Sequence, residues 1–185
     1  MFVAFFVKKK YIMHVKPSEE QKQQLENIYQ TFLNDSRIKR MEEISMHRGS
    51  NCYFHCFKVA KKAVRRSFRS FNKKINYEAV LIGAILHDYY LYDWRKDRSK
   101  RKKHARNHPF NASENASRDF DISKKVKRII ETHMWPINIK DFPKSKEARI
   151  VSLCDKAVTI GEVLTSKKYK QNKREKYLNK IAHLF

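Results

Sequence analysis

The stretch from Ala79 to Leu86 constrains the fold of this chain more than any other, because it is an unbroken run of apolar or small residues. A surface helix carries a polar face and this run has none. We therefore predict a helix from Tyr77 to about Tyr90 that lies in the centre of a domain, with Asn76 as its N-cap. The run leads directly into the pair His87-Asp88. Polar side chains at the end of so buried a helix need partners, because an unpaired buried charge costs several kcal/mol.

The rest of the chain predicts an all-α fold, a single-domain helical bundle. Only 3 glycines and 4 prolines occur in 185 residues, which disfavours a turn-rich β fold, and the length suits one domain with its own core. We divide the chain into a short N-terminal extension (1–16), a helical domain (17–165) and a basic C-terminal helix packed on it (166–185). Apolar residues at helical spacing predict further helices, with approximate bounds 18–34, 38–46, 52–71, 109–119, 122–133, 146–164 and 167–185.

Two of these helices carry more detailed expectations. Pro109 suits the first position of its helix, so residues 93–107 are expected to form a charged, flexible loop before it. On the helix 146–164, the apolar residues are expected to pack inward: Ala148, Ile150, Val151, Leu153, Cys154, Ala157, Val158 and Ile160.

The charge of the chain predicts attraction to polyanions. It has 42 basic and 19 acidic residues, for a formal net charge of +23, and such an excess favours nucleic acid, nucleotides or anionic membranes. The basic residues are spread along the whole sequence, with local maxima at Lys8–Lys10, Lys100–Lys103 and Lys167–Lys176. A dispersed excess is more typical of a solvated surface, so we expect weak, nonspecific nucleic-acid binding at most.

The cysteines and the N-terminus predict a cytoplasmic protein without a membrane partner. Cys52, Cys56 and Cys154 are odd in number and form no C-x-x-C pair, which indicates reduced, buried thiols. The apolar run Met1–Val7 is far shorter than the about 20 residues of a membrane span. It precedes the charges and lacks a cleavage site, so it makes a poor signal peptide. Residues 1–15 are either an extension or an over-long start with Met13 as the true first residue.

Histidines and aspartates fall on or beside the inward faces of separate predicted helices. Each of them alone has an ordinary structural explanation, such as a hydrogen-bonded core histidine or a capping carboxylate. Together they form a set that is hard to explain by packing, because neutral imidazole and carboxylate are natural ligands of Mn, Fe or Zn. In chain order the set is His55, His87, Asp88, His108, His133 and Asp155.

This order resembles the HD superfamily of metal-dependent phosphohydrolases, whose pattern is H…HD…D with extra histidines in two-metal members. The matching segments are N-C-Y-F-H-C-F-K-V-A, A-I-L-H-D-Y-Y, N-H-P-F-N-A, E-T-H-M-W-P and S-L-C-D-K-A, from Asn51 to Ala157. The G-Y-P signature of cyclic-dinucleotide esterases is absent, and Tyr89-Tyr90 replaces the frequent Ile-Gly after His-Asp. Both departures weaken a cyclic-dinucleotide assignment.

The resemblance implies a divalent-metal cofactor of two ions, Mn or Fe, with Zn, Co or Mg as alternatives. It assigns one ion to His55, His87, Asp88 and Asp155 and a second to His108 and His133, with Asp88 bridging. His87 and Asp88 would then also be the catalytic residues. His104 competes with His108, but the family pattern places Pro or a small residue and then Ala after the ligand, which suits His108.

The expected substrate is a small phosphate ester, possibly of a nucleotide. Arg48, Lys58 and Lys156 are candidates to bind its phosphate, and His104 is a further candidate to face it. Trp94 and Trp135 follow ligand segments and could stack a base, although packing is the simpler role for both. Two other functions remain open: a di-iron oxygenase with the same ligands, and a basic helical module that binds nucleic acid without catalysis. The sequence leaves the oligomeric state undetermined.

Overall fold

A computed structural model describes residues 17–46, 50–70, 75–96, 101, 103–165 and 174–185. The predicted extension 1–16, the residue Arg48 and the basic residues 8–10, 100, 102 and 167–173 lie outside the described residues.

The described chain is all-α, as the sequence predicts. It contains a short 3₁₀ turn at Arg40–Glu43 and no strand within these described ranges. Its α-helices are α1 (Glu19–Asn34), α2 (Ser36–Lys39), α3 (Cys52–Phe68), α4 (Tyr77–Leu86), α5 (His104–Asp119), α6 (Lys124–Thr132), α7 (Lys146–Thr165) and α8 (Arg174–Ile181).

Helix α4 lies in the centre and contacts α1, α3, α5, α6 and α7. Its N-cap is Asn76, whose Oδ1 accepts the backbone N–H of Ala79 at 2.9 Å. The apolar run packs on all sides as expected, but the helix ends at Leu86 and His87 forms its C-cap. The prediction extended the helix to Tyr90, four residues too far. The pair His87-Asp88 therefore lies just past the helix end.

Other helices begin at side-chain caps that the sequence also contains. Ser18 and Gln21 form a reciprocal capping box at α1, Asn51 caps α3 through the N–H of Phe54, and Ser123 caps α6. Such caps contribute about 1 kcal/mol each to helix stability. The Asn51 cap matters most for the site, because it fixes where the first turn of α3 begins and thus where His55 points.

The prediction for Pro109 is wrong. Helix α5 begins at His104, and Pro109 lies inside it rather than at its first position. Proline removes one backbone N–H, which would bond to the carbonyl of Ala105. Ala105 is exposed, so water can satisfy that carbonyl. The charged loop before α5 is correspondingly shorter than predicted.

The prediction for the inward face of α7 is wrong in part. Ala148, Ile150, Val151 and Cys154 are buried, but Ala157 is exposed, as are Leu153 (53%) and Ile160 (59%). Asp155 faces the interior of the protein, and this fixes the rotation of the helix. Leu153, Ala157 and Ile160 then fall on the opposite face, since residues three and four apart share one side.

The C-terminal helix packs on the bundle. Ile181 and Leu184 are fully buried, and the hydroxyl of Tyr29 donates to the carbonyl oxygen of Ile181 at 2.7 Å. The three cysteines are free and buried, as predicted. No helix in the described part of the chain has the length and apolar character needed to cross a membrane.

Candidate metal centre

His87 and Asp88 emerge where α4 ends, and the backbone fixes the orientation of His87. Its Nδ1 lies 2.8 Å from the carbonyl oxygen of Ala84, one turn earlier. A carbonyl oxygen can only accept, so Nδ1 donates a proton to it and Nε2 faces the carboxylates. Nε2 lies 3.4 Å from Asp88 Oδ2 and 3.6 Å from Asp155 Oδ1.

His108 and His133 are oriented in the same way from two further helices. His108 Nδ1 lies 3.0 Å from the carbonyl oxygen of His104 in α5, and His133 Nδ1 lies 2.7 Å from that of Ile130 in α6. Their two Nε2 atoms are 3.0 Å apart and lie 3.2 and 3.5 Å from Asp88 Oδ1.

This arrangement brings three ring nitrogens together at one carboxylate. Three imidazoles donate their Nδ1 protons to the main chain, so their three Nε2 atoms are the ring atoms that face Asp88. In addition, His87 Nε2 and Asp88 Oδ1 are buried without a hydrogen-bond partner among the residues described. Buried polar atoms of this kind need an explanation, and a bound cation supplies one. The donor set therefore fits a divalent metal.

A second half of the cluster lies between α3 and α7. His55 Nε2 is 3.1 Å from Asp155 Oδ1, and His55 Nδ1 is 3.0 Å from Glu162 Oε2. Two carboxylates thus hold the two ring nitrogens of a fully buried imidazole. A histidine whose outer nitrogen is held by a carboxylate is a common metal-ligand arrangement, because the carboxylate fixes the ring and raises its basicity.

Glu162 is the residue of this cluster that sequence reasoning missed. Its second oxygen, Oε1, accepts from Lys58 Nζ at 2.7 Å and from Ser50 Oγ at 3.2 Å. A signal for it was available: Glu162 follows Asp155 by seven residues, which places both on one face of a helix.

The charges of the cluster hold each other in place. Burial favours the neutral form of Asp155, but the neighbouring imidazoles of His55 and His87 outweigh it, and its pKa lies well below the ordinary value. Burial also opposes the charged form of His55, but its contacts with Asp155 and Glu162 dominate and raise its pKa well above the ordinary value. The buried carboxylate of Asp155 is therefore favoured in its ionised form beside His55.

His104 lies at the edge of the cluster. Its ring stacks on His108, with centroids 4.7 Å apart, and on Trp94 at 4.9 Å, while Tyr92 Oη lies 3.1 Å from its Nδ1. Burial and the neighbouring His108 lower the pKa of His104 to about 4, so its ring is neutral at pH 7. His108, and not His104, contacts Asp88.

The residues proposed to bind phosphate have different surroundings. Lys156 donates to the carbonyl oxygen of His133 at 2.9 Å and to Ser152 Oγ at 2.9 Å, so it braces the end of α6. Lys58 is paired with Glu162. Arg48 lies outside the described residues. The second tryptophan, Trp135, packs edge-on against Phe142.

All six ligands predicted from the sequence converge. Several sets of three have ligand atoms within 4.8 Å of one another, among them His55-His87-Asp88, His87-His133-Asp155 and Asp88-His108-His133. Cys52 and Cys56 form a further set with Asp88 on the α3 side. Imidazole and carboxylate from five helices or helix ends thus meet at one point of the core.

Comparison with known proteins agrees with this geometry. The model of the HD domain family matches residues 52–159, which is more than half of the chain and contains all six predicted ligands. Searches among curated proteins and among solved structures gave no significant match. On the strength of the family match, the chain belongs to the HD domain family.

Proposed function

We propose that this protein is a metal-dependent phosphohydrolase that cleaves a phosphate ester, of a nucleotide or a related small molecule. One observation carries the proposal. His87, His108 and His133 direct their Nε2 atoms at Asp88 while their Nδ1 atoms face main-chain carbonyls, and two of the buried atoms there have no hydrogen-bond partner in the described chain. Membership of the HD domain family supports the same conclusion.

The two oxygens of Asp88 suit it to bridge two ions. Oδ1 lies toward His108 and His133, and Oδ2 lies toward His87. His55, His87, Asp88 and Asp155 would hold one ion, and His108 and His133 the other. The mixed imidazole and carboxylate donor set suits Fe or Mn, and Zn, Co or Mg remain candidates. Bound there, a divalent cation supplies Lewis acidity, which lowers the pKa of water and polarises a phosphoryl oxygen.

The chain's own residues orient this centre. Hydrogen bonds from the Nδ1 atoms to main-chain carbonyls hold the rings of His87, His108 and His133, so little reorganisation is needed when a ligand arrives. The half-buried ammonium of Lys156 adds positive charge beside Asp155 and complements an anionic substrate. The neutral ring of His104 can accept a hydrogen bond from a substrate hydroxyl at the rim.

The test combines metal analysis with the substitution Asp88→Asn. Purified protein is expected to contain one to two equivalents of Mn or Fe and to release phosphate from members of a panel of nucleotides and phosphate esters. Asp88→Asn should lose the metal and at least about 1,000-fold in kcat/KM, a change of about 4 kcal/mol in transition-state stabilisation. The matched control is Asp121→Asn, because Asp121 is exposed between α5 and α6.

Three outcomes would contradict the proposal. Full hydrolytic activity in Asp88→Asn would show that the assigned centre is wrong. Absence of metal in every preparation, including protein refolded with Mn or Fe, would remove the basis for the chemistry. Consumption of oxygen by an iron-loaded protein that releases no phosphate from any ester would favour the oxygenase alternative.

A further inference from the structure

A long cationic groove runs between α3 and α7 on the outside of the bundle. Its volume is about 1160 Å³. Its walls carry basic side chains from both helices, principally Lys62, Arg65, Arg66, Arg69, Lys146 and Arg149. The lining includes one carboxylate, that of Glu162, which Lys58 and His55 already hold. Within the described chain, the groove is therefore a strongly positive surface.

Four cations of α3 are available to a ligand. Lys62, Arg65, Arg66 and Arg69 are exposed, and no carboxylate of the described chain forms an ion pair with them. Arg149, on the opposite wall, is held by the carbonyl oxygens of Pro143 and Lys144 at 3.0 Å each. Unpaired like charges repel each other, so an anionic ligand would relieve this repulsion.

The dimensions of the groove suit a chain of phosphates better than a single phosphate. With a rise of about 1.5 Å per residue, the cations from Lys62 to Arg69 span about 10 Å, and the α7 wall from Lys146 to Glu162 spans about 24 Å. Sites for drug-sized ligands usually have volumes of about 300–1,000 Å³, which the groove exceeds. A row of cations at successive helical turns can contact successive phosphates of a linear polyanion.

The rest of the lining indicates how such a polyanion would be held. The apolar residues Ile150, Leu153 and Val158 lie between the cations, and no aromatic ring is among the lining residues described. Stacking of bases on aromatic side chains is thus absent, and affinity would come from phosphates and from contacts with sugars. A bilayer is a flat surface and reaches only the rim of a concave groove.

We propose that the α3–α7 groove binds single-stranded nucleic acid through its phosphate backbone, without sequence specificity. The site lies outside the metal centre, and Glu162 is the residue that the two share. The proposal does not depend on the hydrolytic function, because binding of this kind requires neither metal nor catalysis.

The experiment measures anisotropy of labelled 20-nucleotide single strands with the full chain over a range of salt concentrations. The groove variant is Lys62→Gln, Arg65→Gln and Arg66→Gln. The matched control, Lys39→Gln, Lys127→Gln and Lys140→Gln, removes the same charge from exposed positions elsewhere. Loss of three contacts should lower the salt slope by about 2 and the affinity by about 10-fold to 100-fold at ~0.1 M salt. The control should stay within twofold of the unmodified protein.

Further measurements distinguish this groove from the metal centre and from other ligands. Asp88→Asn should bind the oligonucleotide with unchanged affinity, and the groove variant should retain metal-dependent hydrolysis of p-nitrophenyl phosphate if the proposed function holds. Equal loss of affinity in the groove variant and its control would overturn the proposal, because the dispersed charge would then suffice. It would also be overturned by mononucleotide competing as well as the oligonucleotide, or by binding to phosphatidylserine vesicles that the oligonucleotide does not displace.

Discussion

The metal centre and the α3–α7 groove are two charged regions built on opposite principles. The centre collects buried, short side chains from five helices or helix ends, and main-chain carbonyls fix the rings of three of its four histidines. The groove lies mainly between two helices, and its α3 wall carries the long, exposed side chains of Lys62, Arg65, Arg66 and Arg69, which no carboxylate of the described residues pairs with. The side chains of the metal centre are held in one geometry, while the α3–α7 groove presents several positive charges close together.

This difference determines how each region responds to change. In the centre, each donor atom occupies one position and has few substitutes, so removing one leaves the others misdirected or unpaired. In the groove, each cation adds a small, salt-screened increment, and several must be removed for a large effect. Glu162 belongs to both regions, since one oxygen contacts His55 and the other contacts Lys58 at the end of the groove.

The substitution Glu162→Gln should therefore act on the two regions in opposite directions. We expect metal affinity to fall by about 10-fold to 100-fold, because the amide no longer holds His55 Nδ1 as an anion does. Oligonucleotide affinity should rise by about twofold or more, because the carboxylate among the groove residues described here is removed and Lys58 is released. Isothermal titration with Mn and anisotropy with a labelled strand measure the two effects.

Glu131→Gln is the matched control for this change. Glu131 pairs with Arg128 at 2.7 Å and contacts Ser113, and it belongs neither to the candidate ligands nor to the lining of the groove. Neither affinity should change in this variant. Unchanged metal affinity in Glu162→Gln would show that Glu162 does not support the centre, and a fall in both affinities would indicate general disruption of α3 and α7.

The next largest effect is expected at Gly83, where α4 and α6 approach closely. A Cβ at Gly83 would lie 2.6 Å from Cγ2 of Ile129 and 3.1 Å from its Cβ, so a rotamer change cannot relieve the contact. Gly83→Ala should lower the free energy of unfolding by about 1–3 kcal/mol. It should also weaken metal binding, because a displaced α6 would move His133, which lies at its C-terminal end, away from Asp88. Urea unfolding and metal titration of the same preparation test both effects.

Gly161 in α7 provides the contrasting case, because a Cβ there would have no atom of another described element within 4 Å. Gly161→Ala should raise the free energy of unfolding by about 0.5–1 kcal/mol, since alanine loses less backbone entropy in a helix. Metal affinity should be unchanged. An equal gain in stability from Gly83→Ala and Gly161→Ala would show that helix packing at Gly83 is looser than the structure indicates.

The sequence predicted which residues meet in the metal centre better than it predicted the buried faces of the surrounding helices. His87 and Asp88 were identifiable because they follow an apolar run with no polar face, and a charge there is costly without partners. The family pattern then chose His108 over His104, and His108 is the residue that contacts Asp88. Their roles as metal ligands stay a prediction until metal is measured.

The errors on α7 have a physical origin in the centre itself. Apolar residues occur on both sides of this helix, so hydrophobic periodicity alone does not define which side is buried. The polar face carrying Asp155 and Glu162 is the one turned inward, and Leu153 and Ile160 are exposed as a result. The rotation of α7 follows the inward position of Asp155 and Glu162. A prediction that only buries apolar residues does not give this rotation.

The groove could not be located from sequence for a different reason. Basic residues are spread along the entire chain, and only the packing of α3 against α7 brings Arg66 and Lys146 into one lining. Composition predicted attraction to polyanions but gave no position for it. Tertiary contacts between residues about 80 positions apart are what make the surface, and no local pattern encodes them.

Glu147 joins the helices around the centre from outside. Its buried carboxylate accepts the N–H of Asn76 at 3.0 Å, just before α4, and pairs with Lys125 of α6 at 3.3 Å. Burial raises the pKa of Glu147, but the backbone hydrogen bond and Lys125 outweigh it, so the pKa lies below the ordinary 4.5. A carboxyl group whose pKa is lower in the folded state stabilises the fold above about pH 4.5, and this contribution is lost as pH falls through the folded value.

Glu147→Gln should therefore lower the free energy of unfolding by about 1 kcal/mol at pH 7, and the difference from the unmodified protein should shrink below pH 4. Exposed Glu114→Gln is the control and should change stability little at either pH. Urea unfolding at pH 7 and at pH 3.5 measures the difference. A gap that stays constant with pH would mean that the hydrogen-bond geometry, and not the ionised carboxylate, stabilises this junction. Metal affinity at pH 7 should be unaffected, because Glu147 touches no residue of the centre, and this separates support of the helices from support of the ligands.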